Sequence, residues 1–179
     1  MLFRLQVLRL LSVLAGLCLP AAAASAVASQ EFNLTINPAW ALYAPVAATL
    51  THGQTAFQPF QSSIAVSYEV RTTPFGSGKI TLQVTTDFSP RGGPSVANGV
   101  LTYTCGGASL GAPCSGTQTA TLSVQTPVVT LPASACTGGG GACSGSDPNS
   151  VNVTFFLSDD PAYSTGMYSA DITFIISAI

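Results

Sequence analysis

From residue 32 to the end of the chain, apolar and polar side chains alternate with a period of two in run after run. Phe32, Leu34 and Ile36 alternate with Asn33, Thr35 and Asn37, and Pro38 ends the run. Ile64, Val66, Tyr68 and Val70 form a second row, Ile80, Leu82 and Val84 a third, and Leu101, Tyr103 and Cys105 a fourth. Leu122 and Val124 alternate with Thr121, Ser123 and Gln125, and the apolar run Val128 to Leu131 follows Pro127. Val151, Val153, Phe155 and Leu157 make the penultimate row. A period of two sends alternate side chains to opposite faces of a strand, and no segment shows the 3.6-residue period of an amphipathic helix. Each run therefore predicts a strand with one apolar face, and Val46 to Leu50 predicts a further short one. The turn sequence Pro-Phe-Gly-Ser-Gly at 74–78 predicts that the second and third rows form a β-hairpin. The whole pattern predicts an all-β fold. Its expected form is an immunoglobulin-like antiparallel β-sandwich of about 7–9 strands, with a jelly roll as the alternative.

The last run is the most regular. Tyr168, Ala170, Ile172, Phe174 and Ile176 alternate with Ser169, Asp171, Thr173 and Ser177, interrupted only by Ile175. A terminal strand with one apolar face has to pair with something, because an open edge invites association with another chain.

The first residues read as an export signal. Arg4 and Arg9 precede or open a ten-residue apolar run, Leu10 to Leu19, which Pro20 ends. Ala26-Val27-Ala28 then offers a small-x-small cleavage pattern. Such a run is too short to cross a bilayer, which takes about 20 residues, so no stable membrane span is expected after cleavage. Residues 1–28 are the expected signal peptide and 29–179 a single β-sandwich domain, exported to the periplasm, the cell surface or the medium. Beyond residue 28 only Arg71, Lys79 and Arg91 oppose seven acidic residues, a formal charge of −4. A chain with so few basic groups has no footprint for nucleic acid. Charged residues make up 7% of the sequence, against about 25% in ordinary soluble proteins, so Ser, Thr, Asn, Gln and Gly must carry solubility.

Removing Cys18 with the signal leaves Cys105, Cys114, Cys136 and Cys143, which allow three pairings. Export favours oxidation, and spacings of eight and six intervening residues do not suit a four-thiolate zinc site. Each sequential pair brackets a Gly-rich loop that can close locally. Bridges from Cys105 to Cys114 and from Cys136 to Cys143 are therefore favoured.

Catalytic chemistry finds little support. Gly107-Ala108-Ser109-Leu110-Gly111 has the spacing of a nucleophile elbow, yet no helical segment follows it and the single histidine, His52, precedes it. Asp159 and Asp160, with Asp147 and Asn149, are candidate calcium ligands, but the prolines beside them suit ordinary turns. No catalytic residue, cofactor or metal is expected. Trp40, Tyr43, Phe57, Phe60 and Phe75 are expected to cap the ends of a sandwich; exposed, they would suit a sugar-binding face. The sequons at Asn33 and Asn152 both fall within strand-like runs.

The C-terminal stretch resembles that of chaperone–usher pilus subunits and spore-coat-like structural subunits. Gly166 lies fourteenth from the end, and Ile176, Phe174, Ile172 and Tyr168 lie fourth, sixth, eighth and twelfth. Ala178 stands where that family carries a penultimate aromatic. The resemblance implies a structural subunit, no enzyme, with other subunits or a periplasmic chaperone as partners. It implies a sandwich that lacks one strand, supplied by the N-terminal extension of a neighbour. Gly166, Tyr168, Ile172, Phe174 and Ile176 would form the assembly strand, and Phe32, Leu34 and Ile36 the donor strand. The alternative is a self-contained secreted sandwich that binds a glycan or a surface protein.

Overall fold

Among the described residues, nine strands form two antiparallel sheets packed face to face, most of them on the alternating rows. The structure, a computed structural model, describes the backbone of residues 31–53, 55–133 and 142–178, and their side chains except at 74, 142–147 and 178. The expected signal peptide therefore lies outside the described residues. The chain divides between Leu34 and Thr35; Glu31 to Leu34 are exposed without regular structure, and both sheets belong to the unit that follows.

The strands are β1 (Ala39–Tyr43), β2 (Phe60–Pro74), β3 (Gly78–Ser89), β4 (Leu101–Gly106), β5 (Ala112–Pro113), β6 (Gln118–Thr119), β7 (Thr126–Leu131), β8 (Ala142–Leu157) and β9 (Ser169–Ala178). The first sheet runs β1-β2-β8-β4-β6 and the second β5-β7-β3-β9. A 3-10 turn at Val96–Asn98 follows β3. Among the described residues no helix is long and apolar enough to cross a membrane.

Register explains the core. Ile64 and Val66 of β2 face Val153 and Val151 of β8, while Leu101 and Tyr103 of β4 face Leu157 and Phe155. Opposite them, the second sheet contributes Ile80, Leu82 and Val84 from β3 and Val128, Val129 and Leu131 from β7, all fully buried or nearly so. The shift from Ile80↔Val129 to Thr81↔Pro127 leaves Val128 as an extra residue, a bulge that lets two consecutive valines enter the core. The hydroxyl of Tyr103, fully buried, lies 2.8 Å from both the Pro127 carbonyl and Thr126 Oγ1 and shares its one proton between them, and so links the layers by polar contact.

Four expectations of local structure are corrected. The turn at 74–78 exists, closed by Gly76 N donating to the Thr73 carbonyl at 2.9 Å, but β2 and β3 do not pair. The chain arches from one sheet to the other, so the two apolar rows face each other across the core. Alternation alone cannot distinguish this from a hairpin. The run at 121–125 is not a strand: Thr121 Oγ1 accepts from Val124 N at 3.1 Å and folds the segment into a local turn. The run at 46–50 is irregular, and only Thr51 bridges to Gln61. Phe32, Leu34 and Ile36 form no strand, and regular pairing begins instead just beyond Pro38, at β1.

The two long sides of the sandwich differ. On one, Cys105 at the end of β4 is bonded to Cys114 just beyond β5, tying the first sheet to the second. On the other, the edge strands β1 and β9 approach each other across the layers with no covalent link among the described residues.

Candidate functional site

The open side is built from rows that the rest of the fold buries. In β9, Ile176, Phe174 and Ile172 lie opposite Ile80, Leu82 and Val84 of β3. The β3 residues are 0% exposed, yet their β9 partners are only partly buried against the core. The difference is positional: β3 has a neighbour on each side, whereas β9 is an edge strand among the described residues. Trp40 and Leu42 of β1 lie opposite Val70 and Tyr68, which fixes them on the core-facing side of their sheet. Leu42 is partly buried and Trp40 is half exposed. Because β1 covers β2 only from Ser67 to Arg71, Phe60 and Ile64 also remain partly open. The open side is thus a mouth with apolar residues from both layers.

The assembly residues expected from sequence are placed in two groups. Ile172, Phe174 and Ile176 form the row just described. Tyr168 precedes β9, with its ring over Gly93, where a Cβ would sit 2.3 Å from the ring, and its hydroxyl donates to the Ser164 carbonyl at 2.7 Å. It therefore packs the Gly92–Gly93 loop against the segment leading into β9. Gly166 lies in that same segment, exposed, and a Cβ there would make only ordinary contact with the Tyr168 ring at 3.7 Å. Phe32, Leu34 and Ile36 are 86%, 81% and 63% exposed.

The bridge between Cys105 and Cys114 is present. Cys136 and the side chain of Cys143 lie outside the described residues, as does the side chain of Asp147. Ser109 holds its loop in place through hydrogen bonds to β8. Its Oγ accepts from Ser150 N at 2.8 Å, and its own N–H donates to the Ser150 carbonyl at 3.0 Å. The Tyr68 hydroxyl donates to the neighbouring Leu110 carbonyl, so the loop is pinned to β8 and β2. Burial pushes the Tyr68 phenol above its ordinary value. His52 stands edge-on to Phe60, with ring centroids 5.1 Å apart. Asp160 Oδ1 accepts from Ala162 N at 2.8 Å in an ordinary turn. Among the described residues no three metal-ligating side chains come together. A shallow cleft of about 350 Å³ beside Ser77, Lys79, Thr130 and Ser177 brings no pair of titratable groups together.

The aromatic residues correct one expectation. Trp40, Tyr43, Phe57 and Phe75 are at least half exposed, and only Phe60 of the five packs against the core. Phe57 and Phe75 hold positive φ values of 58° and 62°, an uncommon conformation for bulky side chains, on loops outside the core. No protein-family model matches the chain, and no curated protein is significantly similar to it.

Proposed function

We propose that this chain is an exported bacterial structural subunit, of the pilin-like or coat-like kind, whose sandwich is completed at the β9 edge by a strand from a neighbouring chain. One observation carries the reading: the core-facing row Ile172, Phe174 and Ile176 is only partly buried although the β3 row beside it is wholly buried. Full burial of such a side chain is worth about 1.5–3 kcal/mol, so the part still open to water is worth roughly 1 kcal/mol each. An added strand would cover that row and satisfy the free edge of β9 together. The exposed row Phe32, Leu34 and Ile36 has the period such a strand needs. Other subunits, or a periplasmic chaperone holding the edge before assembly, are the partners this role requires. The role asks for no catalytic residue, cofactor or metal.

Deleting residues 29–37 tests it. The shortened chain is expected to fold yet remain monomeric, while the exported wild-type chain forms ladders that resist heating in denaturing gels. Wild-type chains that stay monomeric and folded at all concentrations would sink the proposal. A second reading, a self-contained binding module, is favoured by the exposure of about half of Trp40 and of Tyr43. Such a monomer would have to bind a glycan and lose binding on Trp40→Ala.

A further inference from the structure

The two sheets turn different faces to solvent. On the second, Lys79 and Asp171 alternate with the core-facing rows of β3 and β9 and so point outward. On the first, the outward positions of β2, β8 and β4 lie between the buried ones. Thr154 there stands between Ser63 and Thr104, and Asn152 between Ala65 and Gly106. Among the described residues no charged side chain stands on this face between the row of Ser67 and Ser150 and the row of Gln61 and Phe156.

An aromatic ring marks each end of that stretch. Phe156 lies on the outward side between Gln61 and Thr102, partly exposed. Tyr43, 57% exposed, lies opposite Ser67, which in turn lies opposite Ser150. From Ser150 to Phe156 along β8 is roughly 20 Å, at about 3.3 Å per residue. Between the rings Asn152 is exposed, and its amide makes no hydrogen bond among the described residues. Its cross-strand neighbours leave it open: Ala65 carries one methyl, and a Cβ at Gly106 would meet nothing within 4 Å. A carboxamide offers a donor and an acceptor side by side, the pattern that two adjacent hydroxyls require.

This chemistry selects a partner. A face without charge has nothing to hold phosphates, acidic chains or nucleic acid. Its middle is Ser, Thr, Asn and small residues, without the dry apolar centre through which a protein partner anchors. A chain of neutral sugars suits it, because the apolar faces of sugar rings stack on aromatics while their hydroxyls bond to amide and hydroxyl groups. We propose that the outer face of the first sheet binds a neutral polysaccharide along the line from Tyr43 to Phe156, with Asn152 holding a pair of sugar hydroxyls between the two stacking rings. The face belongs to the sheet that does not contain β9, so the proposal does not rest on strand donation. Assembled copies would add weak single sites into a strong one through avidity.

Depletion of the full exported chain from solution by insoluble cellulose, chitin and starch granules tests this, with pectate gel beads as the acidic control. The chain is expected to bind at least one of the three neutral polymers and to leave pectate unbound. Binding should be equal at about 0.05 M and about 0.5 M salt, because no charge takes part. Tyr43→Ala and Phe156→Ala should each weaken it about three- to tenfold. Asn152→Ala should weaken it about tenfold, and Asn152→Asp at least as much, since a carboxylate has lost the amide's donors. Asn152 is exposed, so both of its variants should keep the wild-type melting temperature. Binding to none of the neutral polymers overturns the proposal. Binding to pectate alone, or neutral-polymer binding that Asn152→Asp leaves unchanged, also overturns it. None of these results bears on strand donation, which the ladders on denaturing gels decide separately.

Discussion

Asp87 organises the loop that follows β3, where no apolar row is available to do so. Its Oδ1 accepts from Phe88 N and Val96 N, each at 2.8 Å, and its Oδ2 accepts from Ser95 Oγ at 2.6 Å. The loop is thereby drawn back onto the strand it leaves, and Val96 is buried in the core. Burial pushes the Asp87 carboxyl up, but the three hydrogen bonds together outweigh it and hold the group below its ordinary value of 3.8. A carboxyl depressed in the folded state stabilises the fold above its unfolded value. That contribution fades as pH falls below about 4 and is gone once the folded group is protonated. Asp87→Asn is therefore expected to lower stability at neutral pH and to flatten the acid side of the profile. Urea midpoints between about pH 3 and pH 7 would show it, and an unchanged acid slope would contradict it. Nothing in the sequence marks Asp87, because its partners Ser95 and Val96 lie eight and nine residues on, at no spacing a local motif uses. Ser109 is the converse case, a motif-like spacing whose serine docks a loop against β8.

At the scale of elements, the rows from Ile64, Ile80, Leu101, Val151 and Ile172 onward were legible because each is long enough for its period to exceed chance. Which sheet each strand joins was not, since alternation states that a face is buried and leaves open against what. The arch between β2 and β3 is the clearest instance. β1 was missed because its two core-facing residues, Trp40 and Leu42, make too short a row to register beside Pro38. The loop bridge was legible from Cys105, Cys114 and the glycines between them, but its role in joining two sheets follows only from the topology. With a sequence separation of 9, the bridge restricts the unfolded chain by about 2–3 kcal/mol in the loop-closure view. Replacing both cysteines with serine should lower unfolding free energy by about that amount and leave assembly intact, because the bridge lies on the side away from β9. Denaturant titration and gel ladders of the same variant would separate the two effects, and lost ladders from a folded variant would contradict this view.

For the whole molecule, the asymmetry between the sides is what matters. One side is closed by a covalent bridge, while the other presents two edge strands with half-covered apolar rows. The C-terminal pattern pointed to β9, but its free edge and the partial burial of Ile172, Phe174 and Ile176 emerge only from three dimensions. Amide hydrogen exchange across β9 is the most direct test. The amides of Ser169 to Ala178 that do not bond to β3 point to the open edge. In the assembled wild-type chain they are expected to become protected, and in the chain lacking residues 29–37 to exchange rapidly, while β3 and β8 stay protected in both. Equal exchange of these β9 amides in assembled and deleted chains would contradict completion of the sandwich at this edge.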